Sequence, residues 1–246
     1  MYEERFYRSL SRSQYTLEIS HKESDLFIST DKAIDKDIAY DVLRKYYGQI
    51  EDYIKKTPLF FTSLSPLEID NDASPIVQEM LECSQETRIG PFASVAGAIA
   101  LYVGRELLQY TDEVIVENGG DIFLKINEDK KIGVYLGERF AAASSILNEN
   151  PIALKVKKRD NSFGMASSSA YIGHSLNFGM ADLVTVIATD AIIAEGFATA
   201  LSNRIKKEAD VNEVLNIAKN IPLIEGLLIA YEGKIFLWGE LQIDGE

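Results

Sequence analysis

Two apolar runs, Val114-Ile115-Val116 and Ile122-Phe123-Leu124, are separated only by Glu117-Asn118-Gly119-Gly120-Asp121. A connection that short has no room for a crossover helix, so the two runs must pair as an antiparallel hairpin. Taken alone, the segment reads as an ordinary turn, because Asn-Gly is the usual composition of a two-residue hairpin loop. The same two glycines also let backbone N–H groups come close to a ligand, and Asn118 and Asp121 place hydrogen-bonding groups beside them. Asn118, Gly119, Gly120 and Asp121 are therefore candidate binding residues as well as turn formers.

Short turns link most of the other strand-like runs too. Polar and apolar residues alternate over residues 15–19 and 25–29, which predicts a second antiparallel pair. Apolar residues recur at helical spacing in Ile38, Val42, Tyr46, Ile50 and Tyr53, which predicts a long amphipathic helix over 35–56, ended by Thr57-Pro58. Another helix is expected near 75–86. Strands are expected at 131–136, 152–156 and 183–188, and Asp190 is placed to cap a helix over 191–207. Residues 226–230 and 235–238 flank Tyr231-Glu232-Gly233-Lys234, a further hairpin. This pattern favours antiparallel sheets over a doubly wound parallel sheet. Two helices rich in small residues, at 93–108 and 191–206, suggest a duplicated α+β unit with a site between the copies.

The chain has 246 residues, of which 46% are hydrophobic and 26% charged, enough apolar material for a sizeable core. Its net charge of −13 argues against a nucleic-acid partner, since binding a polyphosphate requires Lys and Arg to replace counterions. The densest basic cluster, Lys155, Lys157, Lys158 and Arg159, reads as a solvated strand end. With Cys83 as the one cysteine no intrachain disulfide can form, and His21 and His174 are too few to build a Cys/His metal cluster. No signal peptide is apparent and no stretch reaches the roughly 18 to 20 apolar residues that span a bilayer. A cytoplasmic protein with no membrane partner is the expectation. Small-residue faces and an acidic surface are compatible with a homodimer.

Several residues could carry chemistry. Glu195 and Thr199 lie four apart on a predicted helix, so their oxygens share one face and suit Mg²⁺, which takes one or two carboxylates and completes its shell with water and phosphates. As an isolated pair they fit a buried hydrogen bond equally. Ser94 opens the first small-residue helix, where close packing and ligand contact are both reasonable readings. Ser167, Ser168 and Ser169 offer hydroxyls and N–H groups for a phosphate or a ring edge. His174 stands in a Gly/Ser/Asn-rich loop, away from any apolar stripe, and is the candidate catalytic residue. Gly-x-Ser-x-Gly, Gly-x-Gly-x-x-Gly and the phosphate loop ending in Gly-Lys-Ser/Thr are all absent, which sets aside serine hydrolases and the usual nucleotide-binding folds.

The order of these motifs is informative. Ser94-Val95-Ala96-Gly97-Ala98 is followed by Asn118-Gly119-Gly120-Asp121, then Gly164-Met165-Ala166-Ser167-Ser168, His174, and Ala194-Glu195-Gly196-Phe197-Ala198-Thr199-Ala200-Leu201. This series resembles the ApbE-like flavin transferases over roughly residues 90–205. A prokaryotic branch of that superfamily is similar over nearly the whole chain. The resemblance implies an α+β fold of duplicated, tunnelling-fold-like halves, with antiparallel sheets flanked by helices, forming a single ApbE-like domain over 1–246. It implies a flavin nucleotide, FAD or FMN, in a cleft between the halves. The activity implied is that of an FAD:protein FMN transferase, which uses Mg²⁺ to split FAD and attach FMN to a Thr or Ser of an acceptor protein, releasing AMP.

In that family the metal is held by an Asp and a Thr four apart on the late helix and by a backbone carbonyl of the earlier small-residue segment. Those positions match Glu195, Thr199 and Ala96 here. Three positions depart from the pattern. Glu195 replaces the aspartate, Gly97 stands where a lysine is usual, and His174 is followed by Ser175-Leu176 in place of an acidic residue and proline. Three readings stay open at this point: a flavin transferase, a non-catalytic ligand-binding or assembly protein on the same fold, and an enzyme acting on another heterocyclic nucleotide.

Overall fold

In the computed structural model, residues 13–144, 151–172 and 176–244 are described. The alternating segments pair as β1 (Tyr15–His21) and β2 (Ser24–Thr30). The long helix is α1 (Lys36–Lys56), capped by the Asp35 carboxylate, which accepts from the Asp37 N–H at 2.9 Å. A short α2 (Leu59–Thr62) leads to α3 (Pro75–Thr87), with proline in its first turn, where the missing N–H costs nothing. One 3₁₀ turn, Pro91–Ser94, then runs into α4 (Val95–Leu107).

The hairpin forms as its composition requires: β3 (Val114–Asn118) pairs with β4 (Asp121–Lys125), and Asn118 stands opposite Asp121. Gly119 and Gly120 fill the turn at φ 69° and 106°, a conformation that favours glycine. Next come β5 (Lys130–Val134), α5 (Glu138–Ala143), β6 (Ile152–Val156), β7 (Phe163–Ser168) and β8 (Leu183–Ala188). The chain continues through α6 (Ala191–Ser202), α7 (Glu208–Lys219), β9 (Ile224–Tyr231), β10 (Lys234–Gly239) and β11 (Gln242–Ile243).

The helix expected over 191–207 ends earlier, at Ser202, and a helix the sequence pattern did not single out, α7, follows it; the Asp210 carboxylate accepts from the N–H groups of both Lys206 and Lys207, which caps α7. The Asp190 cap forms as expected, accepting from Ile193 N–H at 2.9 Å.

One eight-stranded sheet carries the architecture, in the order β1-β2-β3-β4-β7-β8-β9-β10, with every neighbouring pair antiparallel. Helices α1 to α4 are inserted between β2 and β3, and α6 and α7 between β8 and β9. The pleat divides the side chains between two layers. Phe123, Ala166, Val184 and Val186 pack under the helices. Ile122, Leu124, Met165 and Ile187 face the other way, onto a three-stranded sheet of order β11-β6-β5. The molecule is thus α+β, with antiparallel sheets flanked by helices. Central strands are covered on both faces, and every residue of β8 is buried. The edge strands β1 and β10 are half exposed.

Glycine sets how closely α6 approaches the sheet. A Cβ on Gly164 of β7 would fall 2.2 Å from Ala191 N and from Asp190 C, backbone atoms that cannot swing aside. Gly133 of β5 has nothing within 4 Å of the same position. Gly164→Ala is therefore expected to lower unfolding stability by roughly 3 kcal/mol or more, the upper range for overpacking, while Gly133→Ala changes it by less than about 1 kcal/mol. Urea denaturation of the two variants measures both.

Candidate functional site

The first turn of any α-helix leaves N–H groups without an intrahelical partner. In α4 one of them, the N–H of Gly97, donates to Oε2 of Glu195 on α6 at 2.7 Å. The carbonyl of the same peptide unit, Ala96 O, accepts from Nδ2 of Asn118 at 3.2 Å. Oδ1 of Asn118 in turn accepts from the N–H of Asp25 on β2 at 3.4 Å. One peptide unit, Ala96–Gly97, is held at its two ends by side chains 77 residues apart in sequence. Position 97 has no room for a side chain, since a Cβ there would sit 2.3 Å from Ala191 O and 3.1 Å from Glu195 Oε2. The backbone carbonyl of Ala191 occupies that space, with the Glu195 carboxylate beside it.

The hairpin turn is fixed beside this clamp. Oε1 of Glu117 accepts from Gly120 N–H at 2.9 Å, and Glu117, Asn118 and Asp121 are all buried. A Cβ on Gly120 would meet nothing within 4 Å, so the tip of the turn borders open space. Asp121, on β4, and Glu195, on α6, come near enough for their charges to repel. Burial first, and then the charge of Asp121, push the Glu195 carboxyl well above its ordinary value of 4.5, against the opposing hydrogen bonds from the Gly97 and Ala96 N–H groups. Thr199, one turn along α6, is also buried.

These donors are two carboxylates, a hydroxyl and a backbone carbonyl, all hard oxygens. The set suits Mg²⁺ or Mn²⁺ and does not suit a thiolate- or imidazole-seeking ion. The Ala96 carbonyl accepts from Asn118 Nδ2 and, as a residue of the first turn of α4, also takes a helical hydrogen bond, so a cation would compete with both for it. Among the described residues, no group of three or more His, Cys, Asp or Glu comes together as a ready-made cage. A cation here would draw its remaining ligands from water or from a substrate.

The other expected contacts are placed as follows. Ser94 donates its hydroxyl to Pro91 O at 3.1 Å within the 3₁₀ turn. Ser167 bonds Thr185 across the β7–β8 pair at 2.8 Å. Ser168 accepts from Asn177 Nδ2, which also reaches Ser202 on α6, both at 2.8 Å. Ser169 donates to Asp182 O and accepts from the Tyr171 and Ile172 N–H groups, so its hydroxyl shapes a turn. His174 lies outside the described residues. A cavity of about 510 Å³ near the start of α6, lined in part by Glu79, Cys83, Arg105 and Asp190, includes none of the expected site residues. Sequence reasoning missed Glu117 and Asn177. A carboxylate three residues before the Gly120 N–H, and an asparagine in a Gly/Ser-rich loop, were the signals available.

Comparisons with known proteins bear on this site. A family model described as AbpE bacteria matches residues 8–221. UPF0280 protein MJ1526 of Methanocaldococcus jannaschii is 36% identical over 223 residues, covering 89% of this chain and 88% of that protein. A UPF0280 protein of Methanothrix thermoacetophila is 37% identical over 196 residues, 78% of each. Among solved structures, the apo flavinyl transferase ApbE of Pseudomonas stutzeri matches with a TM-score of 0.60 at 13% identity, over 92% of this chain and 93% of that one. A mutant of the flavin transferase ApbE from Vibrio cholerae matches with a TM-score of 0.58 at 12% identity, over 92% and 97%. At these identities the likeness to the solved structures is one of fold.

The raised Glu195 carboxyl makes stability depend on pH. Below 4.5 it is protonated in both folded and unfolded chains and costs nothing. As pH rises through its elevated native value, ionisation beside Asp121 removes that stability. Glu195→Gln keeps an acceptor for the Gly97 N–H and has no charge to bury. Without divalent cations it is expected to raise the melting temperature at neutral pH by roughly 2–4 °C, equivalent to about 1 kcal/mol for a chain of this size. It should also flatten the melting profile between pH 4.5 and neutrality. Calorimetry across that range tests it.

Proposed function

The chain belongs to the AbpE bacteria family, and from that premise we propose that it is an ApbE-related protein that binds a flavin nucleotide and a divalent cation and transfers FMN from FAD to an acceptor protein. The observation that carries the reading is the meeting of Asp121 and Glu195, two buried carboxylates from separate elements, beside the Ala96–Gly97 peptide and one turn from Thr199. Buried like charges are costly, and a cation between them turns that cost into binding energy.

In this reading the strands β1 to β4 and β7 to β10 are two halves of one tunnelling-fold-like domain, each with helices inserted after its second strand. The sheet order supports that division. Glu195, Thr199 and the Ala96 carbonyl would hold Mg²⁺, with Asp121 as the second carboxylate. The glycines of the turn, Gly119 and Gly120, border the nucleotide cleft with Asp121, Ser167 and Ser168, while Asn118, Ser94 and Ser169 shape its walls from behind through their internal hydrogen bonds. A divalent cation bound there would neutralise the pyrophosphate and the charge that builds on departing AMP. The hydroxyl oxygen of an acceptor Thr or Ser forms a bond to the FMN phosphorus, the pyrophosphate P–O bond breaks, and AMP leaves. The hydroxyl proton passes to a base, the role assigned to His174.

A second reading is supported by a separate observation. Oε2 of Glu195 and the Ala96 carbonyl already have hydrogen-bond partners inside the fold, as they would in a binding protein that works without metal chemistry. One experiment separates the two. Incubation with FAD, Mg²⁺ and candidate acceptor proteins is expected to release AMP and give a flavin-labelled acceptor, detected by chromatography and in-gel fluorescence. Glu195→Ala and Thr199→Val should each lower the rate at least about tenfold. Tight flavin binding by calorimetry with no AMP, unchanged by either substitution, rejects the transferase.

A further inference from the structure

Asn118 is a turn-flanking asparagine by sequence, yet its side chain turns away from the open tip of the hairpin and into the protein. It is 4% exposed, and its amide bridges two segments that are distant in sequence. Nδ2 donates to Ala96 O at 3.2 Å and Oδ1 accepts from Asp25 N–H at 3.4 Å. One orientation of the amide satisfies both, because a carbonyl can only accept and an N–H can only donate. The Ala96 carbonyl and the Gly97 N–H belong to one planar unit in the first turn of α4, so pinning the carbonyl to the hairpin also pins the N–H against displacement of that turn. That N–H is what Glu195 Oε2 accepts from at 2.7 Å.

We propose that Asn118 is a positioning residue for the cation site: by tying the Ala96 carbonyl, and with it the first turn of α4, to the β3–β4 hairpin, it keeps the Gly97 N–H in place to hold the Glu195 carboxylate opposite Asp121. This rests on the cation-binding reading above. Asn118 itself touches no cation, and its contribution passes through one backbone plane. Neither neighbour can substitute for it. Glu117 is engaged with the Gly120 N–H, and Gly97 has no side chain and no room for one.

The test uses the full chain, with manganese as the probe, followed by electron paramagnetic resonance and by hydrogen exchange of the Gly97 amide. The native chain is expected to bind manganese and to protect the Gly97 amide. Asn118→Ala should weaken manganese binding about tenfold or more, the size typical of losing an outer partner of a metal ligand, and should speed Gly97 exchange. Asn118→Gln keeps an amide and should recover part of both effects, which a loss of general stability would not do. Exchange of β6 amides, in the three-stranded sheet on the far side of the main sheet from the helices, serves as the control for folding in each variant. If Asn118→Ala is too unstable to measure, Asn118→Ser carries the same expectation. Native manganese affinity in these variants overturns the positioning role, as does weakened affinity with Gly97 protection intact. Absence of manganese binding by the native chain overturns the cation site and this role together.

Discussion

The peptide unit between Ala96 and Gly97 is the point on which the architecture of the site turns. Its carbonyl is held from the β3–β4 hairpin by Asn118 and its N–H from α6 by Glu195. Three elements from separate parts of the chain are thereby locked to a single rigid plane. The interaction also answers a requirement of the helix, since the start of α4 presents N–H groups that must find acceptors and a partial positive charge that favours a carboxylate. Glu195 supplies the acceptor from outside the helix.

Close approach makes this arrangement available, and small residues make close approach available. Gly97 admits Ala191 and the Glu195 carboxylate, and Gly164 admits the first peptide of α6 against β7. Gly196, on the far side of α6, leaves space for Cys83 and Thr87 of α3. Helix α6 is consequently pressed between the sheet and two other helices. The departures from the transferase pattern belong to this geometry. A lysine at position 97 has no volume to occupy, and the extra methylene of Glu195 over an aspartate extends its carboxylate toward the Gly97 N–H.

Much of the fold was legible from local pattern. The Gly119-Gly120 turn, the alternation of β1 and β2, the amphipathic α1 and the Asp190 cap each rest on interactions between residues close in sequence. The break between α6 and α7 was not legible in that way, because the residues between Ser202 and Glu208 include no glycine or proline to mark it. At the site, the i, i+4 relation of Glu195 and Thr199 was visible, and the resemblance placed Ala96 beside them. The apposition of Asp121 and Glu195 was not visible, since 74 residues separate them and only the packed sheet brings β4 against α6. Ser94 stood out at the start of a small-residue helix and Ser169 in a run of serines. In the structure their hydroxyls complete turns, a use that composition does not distinguish from ligand contact.

The account makes the buried acidic pair, and the peptide unit that orients it, the centre of a cation-dependent nucleotide site. Anomalous diffraction from crystals grown with manganese and FAD tests this most directly. A single manganese peak between the carboxylates of Asp121 and Glu195, within bonding distance of Thr199 or the Ala96 carbonyl and in contact with the flavin pyrophosphate, is the predicted result. FAD bound beside the hairpin with no manganese at the pair, or manganese seated elsewhere on the protein, would contradict it.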